Sequence, residues 1–159
     1  IATVLHEPKL LILDEPFSGL DPVNTNLIKD EIYRLHNNGT SVIFSTHRME
    51  QVEEICERIV LINKGKKILE GEVGTIKESW KENKYSIDLD QQPPAEILNK
   101  YDISHTKNGN FVFQLAEHQN SNTLLSEIMR SKIHINAYQE VLPSLNEIFI
   151  KIVNDQNDN

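Results

Sequence analysis

Cysteine is nearly absent. The one thiol, Cys56, excludes an intrachain disulfide, a pattern that fits a reducing compartment. Long apolar runs are missing too, and none approaches the roughly 20 residues that a bilayer-spanning helix needs. Ile1–His6 has neither a charged leader region nor an initiator methionine. No secretory signal peptide is therefore expected, and a chain opening Ile-Ala-Thr-Val is expected to have been cut from a longer one. Positive charge is scarce: sixteen Lys and Arg face twenty-four Asp and Glu, for a formal charge of −8. Such a surface repels polyphosphates at long range, which argues against nucleic acid as a partner. What remains is 159 residues, 38% of them hydrophobic. That is one medium domain or two small ones, the latter each marginal alone.

The chain has two textures. Up to about Glu72, short apolar runs alternate with amphipathic stretches. Leu10–Leu13 is a continuous apolar run of the kind buried on both faces of a parallel sheet. Asp21-Pro22 reads as an N-cap followed by proline at the first helical position. The helix it opens places Ile28, Ile32 and Leu35 on one face and stops at Asn37-Asn38-Gly39. Ser41–Thr46 is a second buried strand, parallel to the first across this crossover. A helix over 49–57 turns Met49, Val52 and Cys56 inward. Ile59–Ile62 and Lys67–Glu70 flank Asn63-Lys64-Gly65-Lys66 as a hairpin. A short helix over 73–83 holds Ile76 and Trp80, and the domain boundary is expected near its end.

From Lys84 the pattern changes. Tyr85, Ile87 and Leu89 alternate as a half-buried strand. Pro93-Pro94 opens a helix, and Asn108-Gly109 joins two strands, 103–106 and 111–115, in a hairpin. Leu124, Leu125, Ile128 and Met129 form a helical stripe, and 133–138 is a further strand. Ser144 to Glu147 is a capping box launching a helix with Leu145, Ile148, Phe149 and Ile152 on one face. The order strand–helix–strand–strand–helix–strand predicts a small ferredoxin-like α+β domain over 84–154. Residues 155–159 are expected to be a disordered tail.

The chemistry concentrates at Leu10-Leu11-Ile12-Leu13-Asp14-Glu15-Pro16. An apolar strand here delivers two consecutive carboxylates to its C-terminal end, the edge where open α/β sheets bind ligands. Consecutive side chains diverge, so Asp14 can hold Mg²⁺, usually through water, while Glu15 orients and deprotonates an attacking water. The same pair also reads as a solvated acidic turn. The second strand ends in Ser45-Thr46-His47, and parallel strands joined by a crossover end on one edge. Glu15 and His47 therefore converge, and an imidazole there can contact a phosphoryl oxygen.

In order and spacing, these residues resemble the ATP-binding cassette (ABC) ATPases. Leu10–Pro16 is similar to their Walker B strand and catalytic glutamate, Ser18-Gly19-Leu20-Asp21 to their D-loop, and His47 to their switch histidine. The resemblance implies a partial P-loop NTPase sheet of ABC type over 1–83. It makes Asp14 the Mg²⁺ ligand, Glu15 the general base and His47 the sensor of the γ-phosphate of ATP. Ser18 and Asp21 would lie near the nucleotide, Asp21 at the interface with a second ATP-binding domain. Lys84–Asn159 resembles the accessory domain appended to bacterial exporter ATPases, most closely at Glu140–Phe149. The implied protein is an ATPase subunit on the inner face of the cell membrane, hydrolysing ATP to drive export through separate permease subunits.

The departures are as informative. No GxxxxGK[ST] loop is present, and Gly65-Lys66-Lys67 lacks both the glycine spacing and the Ser/Thr. The signature loop of the family is missing as well, so the isolated chain is expected to hydrolyse no ATP. Two alternatives remain open: a soluble ABC ATPase outside transport, and a C-terminal regulatory module that binds a ligand. Other residues carry plainer readings. His6, His36, His105, His118 and His134 lack metal-ligand spacing. Cys56 is core packing, Phe111 and Phe113 alternate as core residues, and Asp88 and Asp90 read as exposed edge residues.

Overall fold

The computed structural model describes residues 4–106 and 108–157. It divides into two compact units, Ile1–Ile59 and Val60–Asn159. The expected boundary near residue 83 differs from this division, because residues 60–83 cluster with the second unit, where their helix packs on the C-terminal one.

In the first unit, β1 (Leu10–Asp14) pairs in parallel with β2 (Ser41–Ser45), from Leu10 opposite Ser41 to Asp14 opposite Ser45. The two strands thus end level with each other. Between them runs α1 (Pro22–Asn37), capped by Asp21, whose carboxylate accepts the Asn24 N–H at 2.9 Å. Gly39, at φ +90°, supplies the left-handed turn that ends the helix. Thr40 is buried and donates its hydroxyl to the Pro8 carbonyl at 3.0 Å, fixing the entry to β2. α1 packs on β2 and buries Ile32 and Leu35, but Ile28, expected on this face, is exposed.

α2 (Met49–Ile55) is shorter than expected. It is tied to α1 by the Lys29–Glu54 ion pair and by the Tyr33 hydroxyl donating to the Glu54 carbonyl at 3.0 Å. Cys56 caps its end, half-buried, and burial pushes its thiol up to about 11.

The burial of β1 and β2 departs from expectation. Leu11 is buried, whereas Leu10, Ile12 and Ile43 on the alternate face stand 51%, 68% and 57% exposed. A parallel sheet normally has both faces covered. Here one is bare.

β3 (Arg58–Asn63), which begins in the last two residues of the first unit, pairs with β4 (Lys66–Glu72) as the expected hairpin, joined by Lys64 and Gly65, both at positive φ. α3 (Val73–Ser79) buries Val73 and Ile76. β5 (Lys84–Leu89), β6 (Asp102–His105), β7 (Phe111–Gln114) and β8 (Ile135–Val141) then form one antiparallel sheet in the order β6-β7-β5-β8. α4 (Ala95–Lys100) connects β5 to β6, and α5 (Ser121–Arg130) connects β7 to β8.

Ile87, Phe113, Leu124 and Ile128 are fully buried and cluster with Ile97, Tyr101 and Leu115; the Tyr101 ring meets Phe113 edge-on at 6.1 Å. Phe111 packs against the same cluster, as its alternation predicts, but Met129 is exposed. β5 lies between β7 and β8, so Asp88 is on a central strand and not at an edge. It is half-buried and accepts from the Asn136 amide at 3.4 Å, while Asp90, beyond the strand, accepts the His134 N–H at 3.1 Å.

α6 (Leu145–Asn157) buries Leu145 and Ile148 and packs on α3. Its capping box forms: Glu147 accepts from the backbone and hydroxyl of Ser144 at 2.7 and 2.8 Å, and the Glu147 N–H donates back at 3.2 Å. The helix continues through residues expected to be disordered, because the box and the buried stripe set its start and not its end. Residues 158 and 159 lie outside the described ones.

Candidate functional site

The level ends of β1 and β2 build the site. Beyond Asp14 the chain turns sharply: Glu15 adopts φ +45°, and the Ser18 N–H closes onto the Glu15 carbonyl at 3.0 Å across Pro16. A left-handed conformation is uncommon outside glycine, and such strain concentrates at functional sites. The Glu15 N–H still continues the ladder to the Ser45 carbonyl at 3.0 Å. Phe17 anchors the turn from below, almost wholly buried and edge-on to Phe44 at 5.7 Å. Backbone pairing on one side and a buried ring on the other thus hold the two carboxylates where β2 can reach them.

Each carboxylate meets the end of β2. The Ser45 hydroxyl donates to Asp14 Oδ1. The Thr46 hydroxyl donates to Glu15 Oε2 at 3.1 Å. The backbone N–H of His47 donates to Glu15 Oε1 at 3.0 Å, and its ring Nδ1 lies 2.6 Å from the same oxygen. With the proton on Nδ1, Nε2 faces away from the carboxylate. The hydrogen bond from His47 holds the Glu15 carboxyl below its ordinary value, helped by Thr46 and opposed by partial burial. Glu15 is therefore ionised at neutral pH. His47 is largely exposed.

The structure brings Asp14, Glu15 and His47 together. Ser18 meets this cluster through its backbone N–H on the Glu15 carbonyl, whereas the Asp21 carboxylate is engaged at the start of α1. Ser18 lies exposed in the turn, and both oxygens of Asp21 accept from Asn24, at 2.9 Å from its backbone and 2.6 Å from its amide. Those hydrogen bonds, the backbone one foremost, hold the Asp21 carboxyl below its usual range. Sequence reasoning assigned no role to the hydroxyls of Ser45 and Thr46. The signal was the register that sets Ser45 opposite Asp14 and so brings Thr46 next to Glu15, which only a paired β2 makes visible.

Among the described residues no group of three or more His, Cys, Asp or Glu could hold a metal ion by itself. Mg²⁺ typically binds one or two carboxylates and completes its shell with water and substrate phosphates. An exposed Asp14 carboxylate at a sheet edge fits that requirement; a closed cage is not needed. No helix among the described residues is long and apolar enough to cross a membrane.

Comparison with known proteins gives the family. Residues 71–153 match the family described as "ATP-binding protein DrrA1-3-like, C-terminal domain". Residues 1–52 are similar to the family described as "AAA domain, putative AbiEii toxin, Type IV TA system". The chain is 39% identical, over 96% of its length and 51% of the relative's, to the uncharacterized ABC transporter ATP-binding protein YhaQ of Bacillus subtilis. It is 36% identical, over 96% of its length and 57% of the relative's, to an uncharacterized ABC transporter ATP-binding protein of Alkalihalophilus pseudofirmus. It is 26% identical, over 95% of its length and 48% of the relative's, to the daunorubicin/doxorubicin resistance ATP-binding protein DrrA of Streptomyces peucetius. The chain spans about half the length of these curated relatives. By the match over more than half of its residues, the chain belongs to the DrrA-like C-terminal domain family of ABC transporter ATP-binding proteins.

Proposed function

We propose that this chain is the catalytic and accessory half of an ATP-hydrolysing ABC subunit that drives export through membrane-spanning permease subunits. The observation that carries the reading is the Glu15 carboxylate, held in an ionised state against His47 at the level ends of two parallel strands. Hydrolysis needs a base beside the attacking water and a donor beside the transferred phosphoryl group. Glu15 is the base and takes the water proton on its carboxylate. As the imidazolium, with a proton on each ring nitrogen, His47 donates Nε2–H to a phosphoryl oxygen while Nδ1–H stays on Glu15. Asp14 would hold Mg²⁺, which would neutralise the phosphate charge of bound ATP. Because its pKa is depressed, Glu15 contributes geometry more than basicity, as expected where phosphoryl transfer is catalysed by positioning.

The remaining assignments follow from the same reading. The loop that cradles the phosphates is supplied by residues upstream of this chain, so the 159 residues alone bind Mg-ATP poorly and hydrolyse none. Ser18 lies near the nucleotide and Asp21 faces a second ATP-binding domain, with the Asp21–Asn24 cap fixing the start of α1. The subunit sits at the cytoplasmic face of the membrane. The order β6-β7-β5-β8 with helical crossovers supports a ferredoxin-like fold for the accessory domain, and the parallel β1–β2 pair supports a piece of a P-loop NTPase sheet.

The test is Glu15→Gln in the full-length protein. The turnover number should fall by about 10²–10⁴, the usual contribution of a positioned base, with Mg-ATP binding retained. Ordinary turnover would remove Glu15 from the role. Micromolar binding of Mg-ATP by the 159-residue chain in isothermal titration would refute the expected incompleteness.

A further inference from the structure

We propose that Thr46 is a positioning residue for Glu15, its hydroxyl fixing which lone pair of the carboxylate is left for the reacting water. This rests on the reading of Glu15 as the base. An ionised carboxylate offers about four acceptor positions. Three are filled: His47 N–H and Nδ1 at Oε1, and the Thr46 hydroxyl at Oε2. The one left is on Oε2, beside the Thr46 contact. Without Thr46 the carboxylate is held at one oxygen only. Its terminal torsion is broad and roughly two-fold, so Oε2 is then free to swing about the His47 contact.

Thr46 is suited to prevent that. A hydroxyl has one proton and two lone pairs, and its rotor normally turns to suit its surroundings. Here the Arg48 N–H donates into Thr46 Oγ1 at 3.2 Å. With that lone pair engaged, the hydroxyl proton is left to point at Glu15. The β-branched side chain is also restricted at χ1, and β2 places it one residue past Ser45, which engages Asp14. Thr46 is half-buried where His47 is exposed, so its hydrogen bond is the less exchangeable of the two with water. The last residue of β2 and the two that follow it thus address different carboxylates: Ser45 takes Asp14, while Thr46 and His47 take the two oxygens of Glu15.

Thr46→Val keeps the shape and removes the hydroxyl. In the full-length protein, the turnover number should fall about tenfold with KM for ATP unchanged, and Thr46→Ser should restore most of it. A merely structural role would move both constants and would not be repaired by serine. A second readout needs no nucleotide. The His47 amide proton is bonded to Glu15, so loss of the Thr46 contact should speed its hydrogen exchange, read by NMR, several-fold in Thr46→Val and little in Thr46→Ser. The Arg48 amide, bonded to Thr46 itself, should accelerate in Thr46→Val under any reading and reports that the hydroxyl is gone. If Thr46→Val does not fold, Thr46→Ala carries the same two measurements.

Unchanged turnover, or unchanged His47 exchange with a faster Arg48, overturns the proposal. Full activity in Glu15→Gln would instead overturn the base reading beneath it. Loss in Glu15→Gln with none in Thr46→Val would sink the positioning role alone.

Discussion

The two units solve the same burial problem with opposite success. The second seals its sheet with its own helices: α4 crosses from β5 to β6 and α5 from β7 to β8, each joining two strands that run parallel with an antiparallel strand between them, and Ile87, Phe113, Leu124 and Ile128 lose all contact with water. The first has a parallel pair whose one crossover helix covers a single face, leaving Leu10, Ile12 and Ile43 open. An antiparallel sheet can leave its other face to water; a parallel one needs a layer on each side. The candidate chemistry sits on the unit that is less complete in itself. Level strand ends are what parallel pairing provides, and they are what brings Glu15 to His47.

The sharpest way to break this contrast is to open the sealed core. Phe113→Ala removes a fully buried ring that packs against Tyr101. It should cost about 3–5 kcal/mol, a large share of the stability of a small domain. Trp80, the one tryptophan, lies in the second unit, so its fluorescence during urea unfolding reads this loss directly. An equal loss in the first unit, followed by amide exchange along β1 and β2, would show that the two units fold as one.

A smaller effect tests the capping box of α6. The Ser144 backbone N–H, then its hydroxyl, hold the Glu147 carboxyl below its ordinary value of 4.5. A carboxyl lowered on folding stabilises the fold fully above that ordinary value, and the contribution is lost as pH falls through the lowered one. Stability of the second unit should therefore drop on acidification below about pH 4.5, and Glu147→Gln should flatten that part of the profile. At neutral pH, Ser144→Ala should cost about 1 kcal/mol, seen again through Trp80. A profile unchanged by Glu147→Gln would assign the acid sensitivity to other carboxylates.

Much of this was legible before any coordinates. Asp14, Glu15 and His47 could be placed on one edge because a strand–helix–strand unit forces parallel ends to coincide. The capping box and the positive-φ turns at Lys64-Gly65 and Gly109 announce themselves through residues that few other conformations favour. What escaped was lateral and collective. Alternation in Tyr85, Ile87 and Leu89 tells which face is buried but not that β5 is central, so Asp88 was misplaced at an edge. An apolar run tells that burial is possible but not which layer supplies it, so the bare face of β1 was hidden in Leu10–Leu13. The roles of Ser45 and Thr46 depend on register between strands 31 residues apart, which no local pattern encodes.

The smallest expected effect bears most directly on the contrast. Leu11 and Ile12 are neighbours on β1 and point to opposite faces, one 4% and the other 68% exposed. In the 159-residue chain, Leu11→Ala should cost about 2–5 kcal/mol, while Ile12→Ser should stay within about 0.5 kcal/mol, as for surface positions. Serine also breaks a contiguous apolar patch, so the variant should self-associate less in sedimentation than the parent chain. With the upstream residues in place, the same Ile12→Ser change should become costly if they cover this face. Should Ile12→Ser prove as damaging as Leu11→Ala in the 159-residue chain, the bare face is covered in solution by another copy. The unfolding midpoint would then rise with protein concentration, because a partner that binds only the folded state stabilises it by mass action.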